Sequence, residues 1–298
     1  MESMQPDMFE LVVVGPAFFE AFVPSIPFPP PGEEAFVDEI GLGLGGALNA
    51  ASVAAALGIR TAFMHPRTGW EVDSMVAHCC KVTGIIDMPW GDGGRPFVSL
   101  VRSDSRNRSF LSCADWSLFD ACPPIPPTLH VHAGGLVEFD LIRGTLERAR
   151  ARGAMVSTCA GWNPPVLARL AREHSCPLDI LFMNSDEATC MCGDTARALE
   201  FLPGRVAGRI VITLGADGAV ASSGNDVVRH PAPTVDVVDT TGAGDAFAAA
   251  WIASMIRARR MDVPPDAVEA LKLACDVASR VVGIRGGVVM SRDQVTSR

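Results

Sequence analysis

The chain alternates between short runs of continuous apolar residues and longer stretches in which apolar positions recur every three or four residues. Leu11–Val14, Thr61–Met64, His130–Ala133, Ala154–Thr158, Ile180–Met183 and Ile210–Leu214 are runs of the first kind. Such runs suit strands buried on both faces of a parallel sheet. Ala47–Leu57, Leu141–Ala151 and Pro165–Glu173 carry the helical spacing and lie between those runs. Strands alternating with helices predict right-handed βαβ units and an α/β fold whose mainly parallel sheet is covered on both sides.

Two segments break the alternation. Phe36–Leu44 is one; Pro96–Leu111 is the other, where extended Phe97–Val101 is followed by the charged stretch Arg102–Arg106. Both are expected to be strands outside the main sheet, forming a small β lid from about residues 17–44 and 92–112, fed by a proline-rich hinge at Pro24–Pro31. The alternative is a pair of surface excursions with no role. No internal repeat of fixed period is present.

Composition narrows the classes. Twenty-five Lys+Arg against 34 Asp+Glu give a net charge of −9, and 48% of the 298 residues are hydrophobic. This acidic balance points away from nucleic acid, which is held mainly by cationic side chains, and the apolar content excludes disorder and collagen. The apolar stretch from Phe9 is interrupted by Pro16, Glu20, Pro24 and Pro27, so no window approaches the roughly 18 residues of a membrane span. Met1–Glu10 lacks a basic region, so no secretory signal is expected and a cytoplasmic location is the default. The nine cysteines have no paired framework and read as reduced thiols. Cys190-Met-Cys192 has the form of half a metal site without a second half.

Four stretches carry candidate chemistry. In Val237–Phe247 a strand runs through small residues into the helical Ala248–Ile256. The unpartnered amides and positive dipole end at such a helix start make Gly242–Asp245 a site for an anion, although an acid there also serves as a plain first-turn charge. Gly41–Ala51 reads as a glycine-rich turn before a helix that bears Asn49. Asn184-Ser-Asp-Glu187 has the form of an N-cap with an acid three residues on. Thr213–Ala219 reads as a strand, a glycine turn and a second strand.

Asp239-Thr-Thr-Gly-Ala-Gly-Asp-Ala-Phe247 resembles the signature of the PfkB or ribokinase family of carbohydrate and nucleoside kinases, and the other three stretches resemble further motifs of that family in family order, from about residue 10 to 292. The resemblance implies one domain over residues 1–298. Its fold would be a ribokinase-like three-layer α/β/α sandwich with a lid, and its activity ATP- and Mg²⁺-dependent transfer of the γ-phosphate to a hydroxyl of a small sugar. Asp245 would be the general base, with Gly242 and the amides of Ala243, Gly244 and Asp245 stabilising the migrating phosphoryl group. Gly45, Gly46 and Asn49 would hold the acceptor. Asn184 and Glu187 would organise Mg²⁺ and phosphates through water, and Thr213, Gly215, Gly218, Gly286 and Gly287 would border ATP. The helix Val268–Val282 and the turn after it would close over the adenine. A possible K⁺ ion would lie among Asp239, Thr241, Ser291 and the carbonyls of Val282, Arg285 and Gly287. A nucleoside acceptor, or a non-catalytic sensor of sugar or nucleotide, are the alternatives, and the lid is a possible surface for a homodimer.

The chain departs from the family pattern on the acceptor side. Where many relatives carry an Asp after the first strand, this one reads Gly15-Pro-Ala-Phe18-Phe19-Glu20, so Glu20 is the substitute acceptor ligand and the two phenylalanines, with Trp116, offer a wall suited to a flat base. The strand near residue 158 ends in Cys159 rather than Asp. His130 and His132 fall on one strand face, either as packing groups or as acceptor contacts. Arg102, Arg106 and Arg108 would suit an anionic acceptor or form a solvated face.

Overall fold

A computed structural model describes residues 8–24, 26–27, 29–103, 108–175, 177–223 and 226–296. In chain order its strands are β1 (Phe9–Val14), β2 (Ala17–Val23), β3 (Gly41–Gly46), β4 (Thr61–Pro66), β5 (Ile86–Trp90), β6 (Val98–Ser103), β7 (Arg108–Cys113), β8 (Thr128–Ala133), β9 (Met155–Cys159), β10 (Leu178–Asn184), β11 (Ala207–Thr213), β12 (Ala219–Ser223) and β13 (Asp226–His230). Its α-helices are α1 (Ala47–Ala56), α2 (Glu71–Thr83), α3 (Leu136–Leu141), α4 (Arg143–Ala151), α5 (Pro164–Leu170), α6 (Ser185–Cys192), α7 (Thr195–Phe201), α8 (Ala243–Arg260) and α9 (Ala267–Val281).

Among the described residues the main sheet has nine strands in the order β13-β12-β11-β10-β9-β8-β1-β4-β5. The pairs from β5 across to β11 are parallel, and β12 and β13 close that edge as an antiparallel hairpin. Successive residues of one strand feed two different cores, which is why the strands read as unbroken apolar runs. Leu11 and Val13 of β1 pack under α1, α2, α8 and α9, whereas Val12 and Val14 pack with α3, α4, α5, α6 and α7. The result is a three-layer α/β/α sandwich. Helix α8 is buried along most of its length around a fully enclosed Trp251, and its alanines at 246, 248, 249, 250 and 253 let neighbouring elements approach closely.

The second sheet, β3-β2-β6-β7, has four strands. Gly41, Gly43 and Gly45 alternate along β3 and so share one face, with Phe22 and Glu20 of β2 lying across them. The sheet is tied to the second core by Phe97, which is fully buried and meets the ring of Phe18 edge-on at 5.5 Å and that of Trp116 at 5.7 Å.

Several element boundaries differ from expectation; the helix expected over Pro165–Glu173, for instance, is α5 and ends at Leu170. The strand expected over Phe36–Leu44 begins at Gly41 and continues to Gly46; Phe36 stands 88% exposed in an irregular segment. The partner strand β2 stops at Val23, next to Pro24 and Pro27, which cannot donate to a ladder, so residues 36–40 have nothing to pair with. The helix expected over Leu141–Ala151 is α4, which runs from Arg143 to Ala151; Leu141 closes the preceding α3, and Ile142 parts the two. Among the described residues, no helix is long and apolar enough to cross a membrane.

Candidate active site

Strand order reverses between β1 and β8, and an open α/β sheet leaves a crevice at the carboxyl ends of the strands at that point. The floor of the crevice is stripped of side chains. A Cβ on Gly15 would lie 2.6 Å from the Cβ of Ala47, and one on Gly134 would lie 2.8 Å from the same atom. Helix α1 starts there from Gly46, whose φ of 71° favours glycine, and Ala47 donates its amide to the Pro16 carbonyl at 3.0 Å.

Asn49 follows within the first turn of α1 and is buried. Its Nδ2 donates to Oδ2 of Asp245, 196 residues away in sequence, at 2.9 Å. Two glycines make this pairing possible. A Cβ on Gly287 would sit 2.7 Å from three side-chain atoms of Asn49, and one on Gly242 would sit 2.5 Å from the Gly287 Cα. The turn bearing Gly287 is fixed from both sides: Asp239 accepts the Gly286 amide at 2.9 Å, and Ser52 accepts the Val289 amide at 2.9 Å while donating to the Asn49 carbonyl at 2.8 Å.

Asp245 is the third residue of α8, which begins after Gly242 in a left-handed conformation, φ 74°. The amides expected to face a phosphoryl group are not equivalent. That of Ala243 is turned to the Thr240 carbonyl in a long 3.4 Å contact, weaker than an ordinary hydrogen bond, whereas Gly244 is exposed at the head of the helix.

Asn184 and Glu187 form a complete capping box at the start of α6, each side chain accepting the other's amide at 2.8 Å. Burial pushes the Glu187 carboxyl above its ordinary value and the charges of Asp186 and Asp245 push it further, against the lowering bond from the Asn184 amide. Gathered negative charge of this kind suits a cation. The β10–β11 register sets Asn184 beside Thr213. Beyond Thr213 the chain makes a 3₁₀ turn, Gly215–Asp217, with the Leu214 amide bonded to the Gly218 carbonyl at 2.8 Å; both Gly215 and Gly218 have positive φ.

Glu20 is buried on β2, and its carboxyl lies over Gly45, where a Cβ would come within 2.3 Å of it. Phe18 borders Gly46, but Phe18 and Phe19 pack into opposite cores and do not form one wall. Trp116 packs on Phe97 and Phe119. Arg102 is exposed and alternates with buried Val101; Arg106 and the Arg108 side chain lie outside the described residues.

The residues expected around K⁺ are engaged with one another. The Val282 carbonyl accepts the amides of Val238 and Asp239 at 2.8 and 3.1 Å, and Asp239 accepts the Thr241 amide and hydroxyl as well as the Gly286 amide. Ser291 is exposed and caps a 3₁₀ turn, Arg292–Gln294, and Arg285 pairs with Glu39 at 2.6 Å. In this arrangement the set fits a cation poorly. Among the described residues no group of three or more His, Cys, Asp or Glu is placed to hold a metal.

His130 and His132 share one partner, the Ser157 hydroxyl, at 2.7 and 2.9 Å, and His132 reaches Cys159 Sγ at 3.8 Å. Burial holds both imidazoles neutral, His130 down to about 3 and His132 down to about 4. Sequence reasoning missed Glu138, a buried carboxyl at the same end of the sheet; burial raises it to about 7, and the charge of Asp245 adds to the shift.

These features describe an α/β sandwich whose switch-point crevice brings Asn49 and Asp245 together. The family described as pfkB family carbohydrate kinase matches residues 146–293 of this chain. A fructosamine kinase from Bacillus subtilis is 31% identical over 105 residues, 35% of this chain and 34% of that protein, so the chain matches about a third of that relative's length. A nucleoside kinase from Methanothermobacter thermautotrophicus is 27% identical over 261 residues, 83% of each chain. The fold is that of Arabidopsis thaliana ribokinase, solved with ribose and ATP, with a TM-score of 0.74 at 20% identity, covering 97% of both chains.

Proposed function

We propose that this protein transfers the γ-phosphate of ATP to a hydroxyl of a small sugar-like acceptor. The observation that carries the reading is the Asn49–Asp245 bond at the head of α8, which joins two distant motif residues in the switch-point crevice. Asp245 accepts the proton of the acceptor hydroxyl as its oxygen bonds to the γ-phosphorus and the bond from that phosphorus to the leaving ADP oxygen breaks. Gly242 opens α8 so that its first amides, that of Gly244 foremost, meet the negative charge on the migrating group. Asn49 holds Asp245 and the acceptor in register, and Glu20 over Gly45 and Gly46 bounds the acceptor. Asn184, Thr213, Gly215, Gly218, Gly286 and Gly287 line the nucleotide's path.

Glu187 would hold Mg²⁺ through water, and that ion would neutralise charge on the phosphates. A monovalent cation near Asp239 would require Val282 and Asp239 to release present bonds, so no step depends on it. A second reading, a nucleoside acceptor, is favoured by the aromatic group Phe18, Phe97 and Trp116 beside Gly46. The exposed row Leu42, Leu100 and Leu111 across the second sheet is the face proposed for a homodimer.

The experiment is ADP release with Mg·ATP over a panel of ribose, fructose, fructosamine, adenosine and cytidine, with and without K⁺. Turnover with at least one acceptor is expected. No turnover with any, together with retained ligand-dependent thermal stabilisation, would favour a binding protein instead.

A further inference from the structure

Glu138 is a buried acid without a counterpart. The residue is 8% exposed, and among the described residues its own main-chain amide is the one group bonded to its carboxyl; no hydrogen bond or ion pair arrives from another residue. Acids are rarely buried unless a cation or several donors hold them, so one held by its own amide alone calls for a reason. A purely local role explains it badly. Helix α3 has six residues and a glycine N-cap with no side-chain bond, and the reciprocal cap seen in α6 is absent from it. A first-turn acid would interact with the helix end equally well from the solvent face, at no desolvation cost.

Its position supplies the reason. The carboxyl folds back over Gly134 and Gly135, where a Cβ on Gly135 would lie 2.8 Å from one oxygen and a Cβ on Gly134 would lie 3.5 Å from the other. The same Gly134 touches Ala47 at the head of α1, two residues before Asn49. Asp245 and Cys159 both interact electrostatically with Glu138, so the group belongs to the crevice in which Asn49 and Asp245 meet. The crevice is thus lined by glycine and alanine, and by a carboxyl whose one donor is its own amide.

We propose that Glu138 is a further acceptor-binding residue, its carboxyl receiving a hydrogen bond from a second hydroxyl or an N–H of the molecule whose reacting hydroxyl faces Asp245. This rests on the kinase reading. It predicts that the acceptor carries at least two donor groups and that removing the second donor is felt through Glu138.

The test is steady-state kinetics of wild type and Glu138→Gln with the panel acceptor of highest kcat/KM, and with its analogue lacking one hydroxyl. For the parent acceptor, Glu138→Gln should raise the acceptor KM about tenfold or more while leaving the ATP KM within about twofold. For the analogue that lacks the bonded hydroxyl, wild type and variant should agree. An unchanged acceptor KM in a folded Glu138→Gln protein would overturn the assignment, as would an equal rise in both KM values accompanied by a lower Tm. Should that variant not fold, Glu138→Asp, which withdraws the charge by one methylene, must show the same split between the two KM values. Wild type inactive on every acceptor removes the kinase reading and this inference with it; wild type active with Glu138 variants unaffected removes the inference alone.

Discussion

Asn49 and Asp245 touch across the switch-point crevice, the Asn49 amide donating to the Asp245 carboxylate at 2.9 Å. The bond leaves the side-chain oxygen of Asn49, Oδ1, buried without a partner. Asp245→Asn keeps the shape and removes the base. Turnover should fall by about 10² to 10⁴, while nucleotide affinity measured by calorimetry stays within about threefold. Comparable turnover would remove Asp245 from the base role.

Gly287 is where a single methyl group tests that pairing. Its φ is not positive, so alanine there carries no backbone strain, and the effect is contact alone: the added Cβ would meet Asn49 at 2.7 Å. Gly287→Ala should cost turnover about 10²-fold or more by pushing Asn49 off Asp245, with a stability loss of about 1–3 kcal/mol. The clash disappears once Asn49 is truncated. In an Asn49→Ala background, Gly287→Ala should therefore cost little further, and an additive double variant would rule out this route of communication.

The capping box at α6 separates folding from metal chemistry. Asn184→Ala removes the cap and should lower stability by about 1 kcal/mol in denaturant titration. Glu187→Gln keeps a carbonyl for the Asn184 amide but deletes the charge. It should leave Tm nearly unchanged and raise the Mg²⁺ concentration needed for half-maximal turnover; an unchanged Mg²⁺ requirement would reduce Glu187 to its capping role.

The parts of the site that were legible in the chain are those in which backbone geometry demands a residue type. Gly46 and Gly242 start helices at positive φ, and Gly45 and Gly287 admit a neighbouring side chain where any Cβ would collide, so each stands out as glycine beside a polar partner. The continuous runs in β1, β10 and β11 betrayed the parallel sheet because both faces are buried. Glu138 gave no such signal. In Leu136-Val-Glu-Phe139 it looks like any acid in the first turn of an amphipathic helix, and its isolation arises only when β1, β8 and α1 converge around it. The irregular course of residues 36–40 was hidden for a related reason: their apolar content suggests a strand, but the missing partner is set upstream, by Pro24 and Pro27.

His130 and His132 predict an acid-sensitive fold. Both are held neutral by burial, down to about 3 and about 4 against 6.5 in an unfolded chain. As pH falls below 6.5 the unfolded state takes up protons that the folded state refuses. Their contribution is therefore intact above 6.5 and is lost progressively toward pH 4. The facing groups are Ser157, Cys159 and Phe182, with Arg259 opposing a charge on His130. Two refused protons correspond to a slope of about 2–3 kcal/mol per pH unit, which urea unfolding at pH 7, 6 and 5 would measure. His132→Gln should lower that slope by about one proton; an unchanged slope would mean that the imidazole is charged in the fold.

Glu138 predicts a pH dependence of the opposite sign. Burial and the Asp245 charge hold its carboxyl up at about 7, against 4.5 in the unfolded chain. Between those values the folded state keeps a proton that the unfolded state has released. Stability from this group is therefore undiminished below 4.5, falls as pH rises through the window, and stays reduced above 7. The full loss is on the order of 3 kcal/mol. Gln cannot ionise, so unfolding free energies of Glu138→Gln and wild type should agree near pH 4.5 and diverge to about 3 kcal/mol in favour of the variant by pH 8. An acid serving only the helix end would give the reverse, with the variant weaker at high pH. Taking the difference between the two proteins at each pH cancels the histidine contribution, so the sign at pH 8 decides between a carboxyl awaiting a ligand and one serving its own helix.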